Sequence, residues 1–332
     1  MTVSRVINKK KNVRDQTRET VLKTIEDLHY TPNSAARNLA AGETTHIGLL
    51  YSNPSAAYLS QFLVGALTAA RRTGCHLVIE DCAAGSEAEL AVAARRFANA
   101  EVEGVVLPPP LSESRAILLE LAKVHMPVVT IAKGDAFENA LNVRMDDYAA
   151  AKQMTEHLIG LGHRRIAMIK GQAGHIATIE RERGFRAAAK EAKIAARDIL
   201  TEDGCFTFRS GLIAAERLID LANRPTAIFA SNDDMAAAAV NVAHRRGLDV
   251  PRDISIVGFD DTDPATTVWP ELTTIRQPVA EMASAALEML IEELRNRRRG
   301  RAPGHADQVL QHELILRGSS GPAPPRADQP KR

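Results

Sequence analysis

A chain of 332 residues is too long for one ordinary hydrophobic core and predicts two or three domains. Its 45% hydrophobic and 25% charged residues are those of a globular protein, and a net charge of +1 excludes a polyanion binder that works by bulk charge. No stretch reaches the ~18 apolar residues that span a membrane, and the charged opening segment lacks the apolar core of an export signal, so a cytoplasmic chain with no membrane partner is expected.

The charge is uneven. Residues 1–23 carry Arg5, Lys9, Lys10, Lys11, Arg14, Arg18 and Lys23 against Asp15 and Glu19, a block suited to phosphate or to a solvated face. Val3, Val6 and Ile7 at i, i+3, i+4 predict a helix from the first residues, with nothing ahead of it to cap it. Val21, Leu22, Ile25 and Leu28 predict a second helix over 15–28, ended ahead of Pro32. NSAARNLAA, residues 33–41, predicts a short Ala-rich helix stopped by Gly42. From His46 the texture changes to strands HIGLLY, HLVIE, GVVLP and PVVTIA alternating with helices over 57–73, 86–99 and 112–124. Cys75, Cys82 and Cys205 show no Cys-x-x-Cys spacing, which points to reduced thiols; no metal, cofactor or catalytic residue is expected.

The alternation restarts at 147. Helices over 147–161, 176–192, 209–222 and 233–246 alternate with strands RRIAMIK, 198–203, PTAIFAS and DISIVGF. A helix over 279–299 and a strand over 309–316 dock back onto lobes already built, and 319–332 reads as a disordered tail. Such alternation predicts parallel sheets with right-handed crossovers, and two such lobes place a crevice at the carboxyl ends of their strands. Pattern alone fits a sugar sensor, a solute-binding protein or a two-lobed enzyme. KGQAGH (170–175) has too few glycines for a phosphate loop, and no other motif of catalysis is present, so the enzyme is the weakest of the three.

An ordered set of motifs resembles the LacI/GalR family of transcriptional regulators. TVSRVIN resembles its recognition helix, and VRDQTRETVLKTIEDLHYTPNSAARNLAAGETTHIGLL its third helix, hinge helix and first sensor strand. LGHRRIAMI, RERGF, ASNDDMAAAAV, DISIVGFDD and PELTTIRQP follow in the family's order. The resemblance implies an α/β fold of two doubly wound parallel-sheet lobes, periplasmic-binding-protein-like, preceded by a small all-α unit with a partial helix-turn-helix and a hinge helix. It places the partial helix-turn-helix at 1–32, hinge helix and linker at 33–45, lobe 1 at 46–145 with 277–303, and lobe 2 at 146–276 with 304–318. It also implies a helix and turn ahead of Thr2, so Met1 reads as an internal methionine taken as a start, or the chain as truncated.

As a family resemblance, the chain is expected to be a repressor that binds a palindromic operator as a homodimer, because half-site symmetry mirrors protein symmetry. Thr2, Ser4, Arg5, Asn8, Asn12, Asn33 and Ala36 fall at DNA-facing positions of the family. Leu39 matches the leucine that enters the minor groove as an apolar wedge. Effector positions fall on Asp146 in VRMDD, Arg181 in RERGF, Phe206, Asn232 in SNDD and Asp260 in GFDD, with Ser52, Asn53 and Tyr58 from the first lobe. These types suit a saccharide, whose hydroxyls need acceptors and donors and whose apolar face needs an aromatic ring. Each has a plainer role open to it: Asp146 and Asn232 as helix caps, Arg181 in a surface pair, Phe206 in the core, Asp260 in a turn. Two carboxylates favour a neutral effector. Family members commonly read NPFF or NPYF where this chain reads NPSAAY (53–58), Arg14 stands where a serine is usual, and Trp269 reads as packing near the hinge. The competing expectations are a cytosolic sensor without specific DNA binding and a solute-binding protein.

Overall fold

The computed structural model describes residue 6 and residues 14–27, 45–82, 86–99, 101–132, 141–302 and 304–325. The chain forms two units, Met1–Thr44 and Thr45–Arg332. In the first, helix α1 (Asp15–Asp27) matches the helix expected over 15–28. Val6 is helical and buried. The remaining residues of the opening helix, the hinge helix and all eight expected DNA contacts (Thr2, Ser4, Arg5, Asn8, Asn12, Asn33, Ala36 and Leu39) lie outside the described residues.

The second unit holds both lobes. In lobe 1, strands β1 (His46–Tyr51), β2 (His76–Asp81), β3 (Gly104–Leu107), β4 (Val128–Ile131) and β5 (Leu141–Arg144) alternate with helices α2 (Ala56–Thr73), α3 (Glu87–Ala98) and α4 (Arg115–Lys123). In lobe 2, α5 (Asp147–Gly160), β6 (Ile166–Ile169), α6 (Ile176–Glu191), β7 (Ile199–Glu202), α7 (Phe208–Ile219), β8 (Ala227–Ala230), α8 (Asp233–Arg245) and β9 (Ser255–Val257) repeat the plan. Then come α9 (Asp263–Thr267), β10 (Thr274–Arg276), α10 (Val279–Arg298), β11 (Asp307–Val309) and β12 (Glu313–Ile315).

Both main sheets are wholly parallel. Lobe 1 runs β11-β5-β4-β3-β1-β2 and lobe 2 runs β7-β6-β8-β9. Both faces are covered, so β3, β6 and β8 read as uninterrupted apolar runs and every residue in them is buried. The pleat still sorts side chains. Ile166 and Met168 join one core cluster with Met154 and Phe185 of α5 and α6, while Ala167 and Ile169 join another with Leu218 and Val240 of α7 and α8. In lobe 1, Ile47 and Leu49 face Phe62 and Leu287 of α2 and α10, whereas Leu50 faces Phe97 and Ile117 of α3 and α4. Among the described residues no helix is long and apolar enough to cross a membrane.

The end of the chain departs from expectation. The single strand expected over 309–316 is two strands in different sheets: β11 lies parallel beside β5, and β12 lies antiparallel to β10. Asp307–Val309 therefore belongs with lobe 1, not with the 304–318 segment of lobe 2, and the chain passes between lobes after β5, after β10 and after β11. The tail expected to be disordered from 319 is docked through residue 323. Ser319 is fully buried; its hydroxyl donates to the Ile256 carbonyl at 2.5 Å and accepts from the Thr273 N–H at 2.8 Å. Gly321 N–H donates to Ser255 Oγ and Ala323 N–H to the Leu161 carbonyl. Hydrogen bonds of main-chain groups and serine hydroxyls hold this segment rather than apolar side chains, and hydropathy does not register it. Trp269, expected to pack near the hinge, is 80% exposed.

Candidate functional site

The carboxyl ends of the strands of both lobes open onto one cleft, the general position for ligands in open parallel sheets. It is lined from both lobes, with Asn53, Tyr58 and Pro109 on one side and Arg181, Phe206 and Asp260 on the other. Arg181 sits at its floor on the second turn of α6, 4% exposed. Its Nε donates to Asp147 Oδ1 at 2.8 Å, Nη1 to the Ser231 carbonyl at 2.5 Å and Nη2 to Gln277 Oε1 at 3.2 Å. Asp260 Oδ1 lies 3.8 Å from Nη1, and the guanidinium stacks 3.6 Å over the Phe259 ring. All three nitrogens are engaged and the charge is matched by carboxylates.

Asp260 follows β9 with φ +106°, far from the conformations that side-chain-bearing residues favour. Asp261 (φ +57°), Phe206 (φ +60°) and Ala132 (φ +68°) are also left-handed, so four of the six positive-φ non-glycine residues among those described line or adjoin this cleft. Such strain persists only where surrounding contacts over-determine the backbone. Burial pushes the Asp260 carboxyl well above the usual range, with Arg181 opposing and neighbouring acids adding. Its Oδ1 makes no hydrogen bond within the protein. The Tyr58 hydroxyl is likewise buried without a protein partner, and burial, then Asp260, raise its pKa, so it stays a protonated donor.

Asn232 caps a helix and also lines the cleft. Its Oδ1 accepts from the Met235 N–H to cap α8, its Nδ2 donates to the Phe206 carbonyl, and it lines the cleft. Phe206 turns its ring into the cleft edge-on to His175, 5.6 Å between centroids. Asp146 is a cap: Oδ1 accepts from the Ala149 N–H at 2.9 Å, and the neighbouring Asp147 lines the cleft instead. Likewise Asn53 lines it while Ser52 does not, and Asn53 Oδ1 accepts from the Ser55 N–H at 2.9 Å.

Three contacts join the lobes over the cleft. Ser55, the N-cap of α2, donates to Asp234 Oδ2 at 2.7 Å, and Gln61 Nε2 donates to the Asp261 carbonyl at 3.1 Å. Glu113 Oε2 accepts from the Ile176 N–H at 3.1 Å. His175 gives α6 no side-chain cap, so a carboxylate of the opposite lobe satisfies that helix end. Glu113 Oε1 also lies 3.2 Å from His175 Nδ1, outside hydrogen-bond geometry. Burial pushes Glu113 up to about 7 and His175 down to about 4, the latter aided by Arg181. Sequence reasoning missed Asp147, Ser55, Glu113, His175 and Gln277. Asp147, Gln277, Ser55 and His175 lie inside the quoted stretches VRMDD, PELTTIRQP, NPSAAY and KGQAGH, whereas Glu113 carries no local signal. Among the described residues no group of three or more metal-ligating side chains converges.

Residues 1–33 match the family described as bacterial regulatory proteins, lacI family, and residues 155–320 match the periplasmic binding protein-like domain. Catabolite control protein A of Priestia megaterium is 32% identical over 291 residues, 87% of each chain. The solved complex of the transcriptional regulator CelR with cellobiose is 28% identical with a TM-score of 0.76, covering 96% of this chain and 95% of that one. The Lac repressor dimer bound to operator and the anti-inducer ONPF is 25% identical with a TM-score of 0.74, covering 96% and 94%.

Proposed function

The chain belongs to the LacI family of bacterial regulatory proteins, and we propose that it is a ligand-responsive repressor that binds a palindromic operator as a homodimer and takes a neutral saccharide between its lobes. The observation that carries the choice of ligand is the charge balance of the cleft. Arg181 is its sole permanent cation among the described lining residues; its charge is paired with Asp147 and set near Asp260, and three of its five N–H groups already donate to protein acceptors. His175 is held neutral by burial. A phosphate or carboxylate entering there meets buried acids and a cation whose charge those acids already balance, a costly placement. A hydroxylated neutral ring instead finds Asp260 Oδ1 to accept, Tyr58 to donate and Phe206 to cover an apolar face. The relative solved with cellobiose supports this ligand class.

Closure of the lobes on the ligand, pivoting on the three chain crossings, biases the DNA-binding unit. The coupling this needs is of order 1–3 kcal/mol. The DNA contacts assigned to this reading are Thr2, Ser4, Arg5, Asn8, Asn12, Asn33, Ala36 and Leu39, and the effector contacts are Asn53, Tyr58, Asp147, Arg181, Phe206, Asn232 and Asp260. The test is calorimetric titration of the full chain with neutral mono- and disaccharides beside their phosphorylated forms, followed by gel shift on a library of palindromic duplexes with and without the binder. A neutral sugar that binds and changes operator retention is the expected result. Binding of the phosphorylated forms alone would overturn the ligand class, and indifference to every duplex would overturn the regulator.

A further inference from the structure

Asp233 is fully buried at the first position of α8, makes no contact with the effector cleft and has no part in the function proposed above. We propose that Asp233 is the positioning residue that holds Asp260 in its strained, ligand-facing conformation. The inference rests on the reading of Asp260 as an effector contact.

One carboxylate grips the chain just beyond Asp260 and the strand that runs beside it. Asp233 Oδ2 accepts from the Thr262 N–H at 2.8 Å and from Thr262 Oγ1 at 3.2 Å, two residues beyond Asp260. Asp233 Oδ1 accepts from Thr274 Oγ1 at 2.7 Å on β10, and the next residue of that strand, Ile275, takes the Asp260 N–H on its carbonyl at 2.8 Å. The carboxylate reaches this place because position 258 is glycine: a Cβ there would come 2.2 Å from Asp233 Oδ1. The intervening Asp261 is clamped separately, Oδ2 by Arg276 Nε at 2.8 Å and Oδ1 by Arg317 Nη2 at 2.6 Å. A backbone at φ +106° relaxes unless its surroundings hold it, and Asp233 fixes the following residues directly and the strand that takes the Asp260 N–H through Thr274. Its two neighbours face the ligand side: Asn232 holds Phe206, and Asp234 takes Ser55 from the other lobe. Three consecutive side chains thus set the floor, the strained acid and the closing contact.

The experiment first establishes a binder by titrating the full-length wild-type chain with cellobiose, ribose, glucose and further neutral sugars. With that sugar, Asp233→Ala is expected to weaken binding at least tenfold while unfolding cooperatively. Asp233→Asn, whose amide offers an acceptor to Thr262 and a donor to the Thr274 hydroxyl, is expected to stay within about threefold of wild type. The decisive readout is the cycle with Asp260→Ala: if Asp233 acts through Asp260, adding Asp233→Ala to Asp260→Ala costs less than twofold more. Full additivity, or an Asp233→Ala protein that binds like wild type, overturns the proposal. If Asp233→Ala does not fold, Thr262→Val and Thr274→Val, which each remove one donor, replace it in the same cycle. If no sugar binds the wild type, the cleft reading fails, and a crystal structure of Asp233→Ala decides the positioning role alone: Asp260 leaving positive φ supports it, and an unmoved Asp260 overturns it.

Discussion

The two lobes share a plan but divide the cleft unequally. Lobe 2 supplies its charged groups: Arg181, Asp147 and Asp260 are interlocked, and two of the strained residues, Asp260 and Phe206, are braced by carboxylate and amide contacts. Lobe 1 supplies Asn53, Tyr58 and the Pro109–Pro110 wall, and reaches lobe 2 through Ser55, Gln61 and Glu113 at the edges. A rigid charged floor and a lighter, hydrogen-bonding cover divide the work. In the proposed function, the floor selects the ligand before closure, and the cover adds the contacts made when the lobes meet.

Three substitutions break or sharpen this contrast. Arg181→Ala attacks the floor and has the largest effect. It leaves Asp147 and Asp260 buried without their cation, so a stability loss of about 3–5 kcal/mol is expected by denaturant unfolding, together with loss of sugar binding. If Arg181→Ala binds normally, lobe 2 is not the selecting lobe. Tyr58→Phe attacks the cover. It removes one donor without removing the ring, so calorimetry is expected to show affinity weaker by roughly 5- to 10-fold, about 1 kcal/mol, with the unfolding midpoint unchanged.

The smallest effect lies at the edge, in the pH dependence of stability. Glu113 has a folded pKa of about 7, above its ordinary value. The folded state therefore binds the proton more tightly, and this group's contribution falls as pH rises from about 4.5 to 7. His175 has a folded pKa of about 4, below its ordinary value. The unfolded state binds that proton more tightly, so its contribution rises with pH between about 4 and 6.5. The two slopes oppose over most of this window. Glu113→Gln removes one of them, and its stability is expected to climb with pH between about 4 and 6.5 more steeply than wild type in urea titrations. Parallel curves would show that the pair does not titrate on unfolding.

Much of this protein was legible along the chain. The strand and helix alternation is a record of which side chains are buried, and the parallel sheets follow it closely, as in β6 and β8. Arg181, Asn232, Asp260, Phe206, Asn53 and Tyr58 were legible through motif resemblance, and the structure brings all six to one cleft. The near misses fall one position away. Asp146 caps a helix while Asp147 turns inward, because adjacent helix positions point about 100° apart and only the neighbouring lobe defines inward. β10 and β12 were poorly legible because main-chain pairing holds them, and the segment after Gly318 because serine hydroxyls and main-chain groups hold it without an apolar pattern.

Periodicity and motif order by themselves determined two doubly wound lobes, a cleft between them and the chemical types that would face a ligand. Tertiary structure alone decided that Glu113 of one lobe completes a helix end of the other, that Arg181 is spoken for by Asp147, Ser231 and Gln277, and that Asp233 braces Asp260. These hydrogen bonds join residues 29 to 96 positions apart along the chain. A carboxylate's partner depends on which donors folding carries within 3 Å of it, and one-dimensional spacing does not hold that information.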